Sequence, residues 1–166
     1  SREEAERRLL EIPGLPPKLH AFFSQGRAIT ACLDARNPHL NDRGEITCPV
    51  CAETGRPRPT FPMVFCRACG QEYYSVAVDE TGKLTSAELD SFESRGRLGY
   101  LYLQRWDEEA NPLPDPWRTP RGQIMQRFKD VIPEARSICP ECGEVDGQCQ
   151  HTRLQAVFLP APFLFC

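Results

Sequence analysis

Cys48-Pro49-Val50-Cys51 is followed, after 14 intervening residues, by Cys66-Arg67-Ala68-Cys69-Gly70. Each C-x2-C pair is a tight turn that presents two sulfurs to one metal, while backbone N–H groups stabilise the thiolate charge. The spacing predicts a zinc ribbon in which these four cysteines hold one tetrahedral Zn²⁺. Four thiolates leave no coordination position open, so the predicted metal is structural and not catalytic. The same four thiolates would also suit an iron–sulfur cluster.

A third knuckle, Cys139-Pro140-Glu141-Cys142-Gly143, predicts a second metal-stapled unit about 90 residues further along the chain. Cys166 is its third ligand candidate, because the apolar run before it matches the run before Cys66. The fourth ligand stays open between Cys149, His151 and a cysteine beyond Cys166. If Cys166 begins another C-x2-C pair, Cys149 is spare and this unit is incomplete; if the chain ends there, Cys149 is the leading fourth ligand.

The remaining cysteine and histidines have structural interpretations. Cys32 lies in the apolar run Thr30-Ala31-Cys32-Leu33, which favours a buried strand residue over a ligand. His20 and His39 have no partner at metal-ligand spacing and are interpreted as structural or exposed. Nine cysteines that include three C-x2-C pairs, with an odd total, favour zinc in a reducing compartment over a disulfide framework.

The composition favours short strands joined by turns. The 166 residues include 16 prolines and 11 glycines, which interrupt long periodic segments, and 40% hydrophobic residues, which can build a core. We expect an α+β, β-rich fold with zinc-ribbon-like units, short helices and long loops. The predicted units are a helical tail of a preceding domain (1–14), a hairpin with the first zinc ribbon (15–78), a connection with one strand and a proline-rich linker (79–116), and a short helix with the second zinc unit (117–166).

Local patterns place elements inside these units. Acidic residues after Ser1 start a helix that Pro13-Gly14 ends. Two apolar runs on either side of Ser24-Gln25-Gly26 predict a hairpin. Aromatic and β-branched residues predict strands at 63–65, 72–78 and 99–103. Ile124, Phe128 and Val131, at i, i+4 and i+7, predict a short amphipathic helix.

The charge pattern gives no global attraction for nucleic acid, because the formal net charge is −3 and the pI is about 5.7. A local basic patch remains a hypothesis, although solvated surface arginines are the commoner case. Aromatic pairs such as Tyr73-Tyr74 could stack on bases, but core packing explains them at least as well. The candidate backbone contacts are Arg56, Arg58, Arg67 and Arg121.

Several function classes lack their sequence signals. No stretch approaches the roughly 18 to 20 apolar residues of a membrane span, and the charged start differs from a signal peptide, so a cytoplasmic protein is expected. The 166 residues contain no P-loop, dinucleotide fingerprint or nucleophile elbow. We therefore expect no catalytic or organic-cofactor-binding residues in this chain.

Three stretches carry a resemblance to a known family. They are residues 15–23 (Leu-Pro-Pro-Lys-Leu-His-Ala-Phe-Phe), 31–34 (Ala-Cys-Leu-Asp) and 65–74 (Phe-Cys-Arg-Ala-Cys-Gly-Gln-Glu-Tyr-Tyr). Together they resemble a cysteine-rich region of large bacterial DEAD/DEAH-type superfamily 2 helicases, many of which act in DNA repair and anti-phage defence. Residues 99–102 and the knuckle at 139–143 are similar to the same region.

The resemblance implies an accessory zinc module attached to two RecA-like motor domains, which would be its partners together with DNA and other defence or repair subunits. ATP and Mg²⁺ would bind to those motor domains, since none of the motor motifs occurs in this chain. Helicase activity would belong to the parent protein. The alternative function is a zinc-stabilised protein-interaction module, which suits the acidic pI, and a metalloenzyme would require an open second zinc site.

Overall fold

The computed structural model describes residues 29–66, 68–87 and 96–162. Strands dominate these ranges, and the helices are short, which confirms the predicted β-rich α+β class. The elements in chain order are β1 (Thr30–Cys32), β2 (Leu40–Asn41), α1 (Pro49–Glu53), β3 (Thr60–Phe65), β4 (Glu72–Val78), β5 (Leu84–Ser86), β6 (Arg97–Tyr102), 3₁₀ helices Asp115–Trp117 and Gln126–Val131, β7 (Glu134–Ile138) and β8 (Leu154–Pro160).

The described strands form one antiparallel eight-stranded sheet in the order β2-β1-β3-β4-β6-β8-β7. β5 lies off this path and pairs with the last three residues of β4, while β3 pairs with the first three. Since β6 occupies the other edge of β4, β3 and β5 follow one another along the same edge. The sheet therefore links the segments that carry the first knuckle with those that carry the third.

Alternating residues of the four central strands bury both faces of the sheet, as period-2 side-chain geometry requires. The β4 pair Tyr73 and Tyr74 divides between these faces, whereas Tyr100 and Tyr102 of β6 share one face, and both pairs pack in the core. One face carries Phe61, Met63, Tyr74, Val76, Leu101, Ala156 and Phe158. The opposite face carries Val64, Tyr73, Val157 and Leu159, with Tyr100 and Tyr102 packed against them.

The proline-rich segment packs on the second of these faces. Leu113 and Trp117 are both buried there, and the Trp117 ring stacks on the Phe128 ring with centroids 4.8 Å apart. Ile124 and Val131 pack against the same cluster, but the predicted helix from Ile124 is shorter than expected: a 3₁₀ helix covers Gln126–Val131, and Ile124 precedes it in a bridge with Arg118. The i, i+3 pair of this helix, Phe128 and Val131, can share one side because residues three apart eclipse in this geometry.

Several strand predictions are confirmed. The strand at 72–78 coincides with β4, the strand at 63–65 is the second half of β3, and the strand at 99–103 overlaps β6. The helix at 1–14 and the turn of the first hairpin lie outside the described residues. Neither α1 nor the 3₁₀ helices have the length and apolar character that crossing a membrane requires.

Candidate metal centres

The first cluster consists of Cys32, His39, Cys48 and Cys51, whose ligand atoms all lie within 4.8 Å of one another. Cys32 ends β1, His39 immediately precedes β2, and the two other cysteines belong to the knuckle that opens α1. The three cysteines are buried and the histidine is half-buried. Four donors on three elements thus converge on one point beside the sheet.

The spacing of these donors matches a tetrahedral zinc site. Zn–S bonds of about 2.3 Å and Zn–N bonds of about 2.0 Å give tetrahedral edges of about 3.8 Å between two sulfurs and about 3.5 Å between sulfur and nitrogen. The Sγ atoms of Cys32 and Cys51 are 3.8 Å apart. Nδ1 of His39 lies 3.5 Å from Sγ of Cys32, 3.5 Å from Sγ of Cys48 and 3.4 Å from Sγ of Cys51.

Local backbone geometry explains this convergence. Cys48 is the N-cap of α1, with Pro49 at the start of the helix, and its Sγ accepts a hydrogen bond from the Cys51 N–H at 3.5 Å. The Cys48 N–H donates to the Arg58 carbonyl at 2.8 Å, which attaches the knuckle to the start of β3. On the other side, Tyr74 donates its hydroxyl to the Cys32 carbonyl at 3.1 Å.

The loop between Cys32 and His39 is shaped by Asp34. Its carboxylate accepts the backbone N–H groups of Arg36 and Asn37 at 2.9 and 3.0 Å, which closes a tight turn. The chain then returns, and the His39 N–H donates to Cys32 Sγ at 3.4 Å. These amide hydrogen bonds hold the His39 ring beside the sulfurs and compensate thiolate charge.

Cys66 and Cys69, which the sequence analysis assigned to the same zinc as Cys48 and Cys51, lie at the opposite end of β3. Cys32 pairs with Thr60 at the start of that strand, whereas Cys66 follows its last residue. Six residues of strand extend about 20 Å at about 3.3 Å per residue. The structure therefore groups Cys48 and Cys51 with Cys32 and His39, and not with Cys66 and Cys69.

The second cluster consists of Cys139, Cys142, Cys149 and His151, again with all ligand atoms within 4.8 Å. The knuckle follows β7, and the loop before β8 supplies the other two residues. Sγ of Cys139 lies 3.4 Å from Nδ1 of His151 and accepts the Cys142 N–H at 3.3 Å. The sequence analysis left the fourth ligand open, with Cys149 and His151 as its two loop candidates, and the structure places both of them in this group. Cys166 lies outside the described residues.

Two charged side chains support the second cluster from outside. Arg153 donates to Cys149 Sγ at 3.3 Å, and its guanidinium is held by the Ser137 and Glu144 carbonyls at 2.6 and 3.1 Å. Nε2 of His151 lies 3.8 Å from a carboxylate oxygen of Glu141, so Nδ1 is the ring nitrogen directed at the sulfurs. Such outer partners fix ligand orientation and tautomer in zinc sites.

Burial, neighbouring thiolates and hydrogen bonding shift the pKa values of several thiols in the two clusters in opposite directions. Burial and a neighbouring thiolate raise the pKa of Cys32, and burial with hydrogen bonding to Cys48 raises the pKa of Cys51 to about 12. Although burial opposes ionisation of Cys139, hydrogen bonds led by the Cys142 N–H lower its pKa to about 7. Desolvation and hydrogen bonding to Cys139 raise the pKa of Cys149 to about 11.

These pKa shifts predict that zinc binding weakens as pH falls. In the metal-free protein at neutral pH, Cys51 and Cys149 carry protons that zinc must displace. Each displaced proton makes the apparent affinity fall about tenfold per pH unit on acidification. Below pH 7 the Cys139 thiolate also becomes protonated, so the dependence for the second cluster steepens there. Competition with a chromophoric chelator between about pH 6 and pH 8 would measure it; a pH-independent affinity would contradict thiolate ligation.

The candidate arginines do not share one environment. Arg56 is exposed, and Arg58 donates to Asp34 at 3.2 Å. Both line a cleft of about 390 Å³ beside the first cluster. Arg121 is exposed in the turn that precedes the second 3₁₀ helix. Arg67 lies outside the described residues.

Sequence reasoning missed Cys32 and His39 as candidate ligands. A signal was present, since C-x6-H-x8-C-x2-C runs from residue 32 to residue 51 around a turn rich in Asp, Asn and Pro. The apolar run around Cys32 indicated a buried strand correctly, but a buried strand end can also present a ligand. The eight described cysteines are free of disulfides, and both four-donor sets suit structural zinc.

Comparison with known proteins adds no assignment: no family model, curated protein or solved structure matches this chain.

Proposed function

We propose that this chain is a structural zinc-binding module and has no reaction of its own. The observation that carries this proposal is the composition of the two clusters, each with three cysteines and one histidine around one point. A set of four protein ligands fills tetrahedral zinc and leaves no position for water or substrate. The first cluster fastens two loops to the start of β3, and the second fastens the loop between β7 and β8.

We extend this proposal to an accessory role in an ATP-dependent DNA helicase. Support comes from the resemblance of residues 15–23, 31–34 and 65–74 to the cysteine-rich region of such enzymes. In this role the module braces the motor domains, which bind ATP and Mg²⁺ elsewhere in the parent, and exposed arginines guide a DNA strand. Arg56 and Arg121 are the most accessible described candidates; Arg58 is engaged by Asp34.

The DNA-guiding part predicts salt-dependent binding of labelled single-stranded oligothymidylate by the whole chain. Arg56→Ala and Arg121→Ala should each reduce the slope of log affinity against log salt by about 0.7. This is the value for the loss of one phosphate contact to a single strand. Fluorescence anisotropy at several salt concentrations measures that slope. Arg136→Ala is the matched control, because Arg136 is already engaged by Glu134 and Asp146. Unchanged slopes in both test variants would reject DNA guidance.

A zinc-stabilised protein-interaction module is the second candidate, favoured by apolar side chains exposed near the first cluster. Leu40 is 65% exposed and Ile46 is 81% exposed, and both lie in the segment between Cys32 and Cys48. The acidic pI of about 5.7 also suits a protein partner better than a nucleic acid. Absence of DNA binding at low salt, with zinc still bound, would favour this candidate over the first.

A further inference from the structure

The two clusters differ in how far solvent reaches their sulfurs. In the first cluster all three cysteines are at most 5% exposed, and Cys51 alone of the three lines the neighbouring cleft. In the second cluster Cys139 is buried, whereas Cys142 and Cys149 are half-buried and the side chain of His151 is 46% exposed. Oxidants attack exposed thiolates more readily than buried ones. Two sets of the same ligand types therefore differ in their access to oxidants.

The two half-buried sulfurs of the second cluster lie close together. All four ligand atoms of this cluster are within 4.8 Å of one another, and a disulfide brings two sulfurs to about 2.0 Å. Cys142 belongs to the knuckle that follows β7, and Cys149 belongs to the loop that precedes β8. A small movement of that loop would join the two sulfurs and take two ligands from the metal at once.

A fixed cation lies beside this pair of sulfurs. Arg153 donates to Cys149 Sγ at 3.3 Å, and the Ser137 and Glu144 carbonyls accept from its guanidinium at 2.6 and 3.1 Å. The Glu144 carboxylate, 3.8 Å from the guanidinium, also accepts the Cys149 N–H at 3.0 Å. A guanidinium held in place stabilises negative charge that develops next to it. When a sulfur attacks a peroxide, that charge develops on the departing oxygen.

Backbone hydrogen bonds hold the knuckle of the second cluster independently of the metal. The Leu84 N–H donates to the Gly143 carbonyl and the Val145 N–H donates to the Gly82 carbonyl, both at 2.8 Å. These bonds attach the knuckle to β5 and to the turn before it. The loop before β8 can therefore leave the metal while the knuckle and the sheet keep their positions.

We propose that the second cluster is a redox switch, in which a peroxide converts Cys142 and Cys149 to a disulfide and the zinc ion is released. The inference rests on the proposed function, because it requires zinc at this cluster. The first cluster keeps its metal under the same conditions, since its sulfurs are buried. The switch thus frees one loop and leaves the rest of the module fastened.

The reaction balances with hydrogen peroxide as the oxidant. Zinc-bound thiols are deprotonated, and a thiolate is a nucleophile. One of the two thiolates attacks the O–O bond, becomes a sulfenic acid and expels hydroxide. The other thiolate attacks the sulfenic sulfur, which forms the S–S bond and expels a second hydroxide. Two electrons pass from the sulfurs to the peroxide, two protons from solvent convert the hydroxides to water, and Zn²⁺ keeps only Cys139 and His151.

Zinc release from the whole chain in hydrogen peroxide tests this proposal. The chain is loaded with two equivalents of Zn²⁺, and a chromophoric chelator reports the free ion. We expect one zinc ion per chain in a first phase, with the far-ultraviolet circular dichroism of the sheet retained, and rebinding after a dithiol reductant and Zn²⁺ are added. Equal release from both clusters, or none, would overturn the switch and leave the proposed function intact. A chain that binds no zinc would remove both.

Peptide mapping of the oxidised protein identifies the bond. Cleavage after Glu141, Glu144 and Arg153 separates the three cysteines of the cluster. We expect fragment 142–144 to be linked to fragment 145–153 through a disulfide. The link must be mapped and not inferred from a thiol count, because other cysteines of the chain are exposed as well. A link to the buried cysteine of the knuckle, or zinc release without any link, would overturn the assigned pair.

Cys149→His is the variant that separates zinc binding from the switch. It keeps four ligands, two sulfurs and two nitrogens, which also suit tetrahedral zinc. We expect it to bind two zinc ions and to lose the first phase of release in peroxide. Cys51→His makes the same exchange in the first cluster and is the matched control, which should retain that phase. An unchanged first phase in Cys149→His would contradict the proposal.

Discussion

Removal of zinc is expected to unfold the described sheet around the two clusters. The apparent free energy of structural zinc binding is about 10–16 kcal/mol near pH 7 in small zinc units, comparable with the whole stability of about 5–15 kcal/mol of an ordinary domain. Without metal, Cys32, Cys48 and Cys51 form a small buried group of repelling or protonated thiols with little apolar surface. We therefore expect a strong chelator to abolish the cooperative thermal transition.

The two clusters should lose metal in sequence during this experiment. The His151 side chain is 46% exposed, whereas the three cysteines of the first cluster are at most 5% exposed. A chelator reaches the second cluster more readily, so one zinc should leave before the major loss of sheet structure. Circular dichroism and metal release can be followed together. Restoration by Zn²⁺ but not Mg²⁺ is the control, and an unchanged transition in a protein shown to be metal-free would contradict the account.

His39→Ala is expected to abolish high-affinity zinc binding at the first cluster. Loss of an outer-shell partner already costs about 10- to 100-fold in zinc affinity, so loss of a direct ligand should cost more than about 100-fold. Nδ1 of His39 lies within 3.5 Å of all three sulfurs, and its removal opens one position of the tetrahedron. Titration against a competing chelator measures the change, and His39→Cys should restore binding as a fourth thiolate.

His39→Ala distinguishes the observed first cluster from the four-cysteine zinc site that the knuckle spacing predicted. If Cys48 and Cys51 shared a zinc with Cys66 and Cys69, His39→Ala would leave the zinc content unchanged. Combining His39→Ala with Cys66→Ser provides the stricter comparison. In the observed arrangement Cys66 lies at the other end of β3, so adding Cys66→Ser should weaken the first cluster no further, whereas in the four-cysteine grouping Cys66→Ser alone would remove that zinc. Full binding by His39→Ala would contradict the first cluster.

Strands were predictable because successive side chains of a strand point to opposite faces of the sheet, so the pattern is visible in the local sequence. Residues 72–78 alternate between the two buried faces, and their aromatic and β-branched composition indicated that strand with its observed limits. The knuckles were predictable for the same reason, since two cysteines three residues apart in a tight turn can face one metal. Glycine at positions 70 and 143 ends two of these turns with positive φ.

The grouping of knuckles was not predictable from spacing, because it depends on the direction of the strand between them. Met63-Val64-Phe65 was expected to deliver Cys66 to the first zinc, but β3 begins at Thr60 and carries Cys66 away from it. The partner of the first knuckle comes instead from β1, which pairs with β3 at Thr60. That pairing joins residues 28 apart in the chain, and no local pattern encodes it.

His39 illustrates a second limit of the sequence. A single histidine in a polar loop is ordinarily solvent-exposed, and its spacing from Cys48 matches no common knuckle. Its position depends on the Asp34 turn and on the backbone hydrogen bond to Cys32 Sγ, and Cys32 is held by the pairing of β1 with β3. The second cluster spans residues 139–151, a shorter stretch of chain than residues 32–51 of the first cluster. Cys149 and His151 could therefore be identified as candidates from the sequence.

X-ray absorption at the zinc edge tests most directly that this protein holds structural zinc in sets of three cysteines and one histidine. The whole chain loaded with two equivalents of Zn²⁺ is the sample, so that the measured shell averages over the first and second clusters. The account predicts an average shell of three sulfurs at about 2.3 Å and one nitrogen at about 2.0 Å per zinc. A shell of four sulfurs, or one with fewer than three sulfurs and added oxygen, would contradict it.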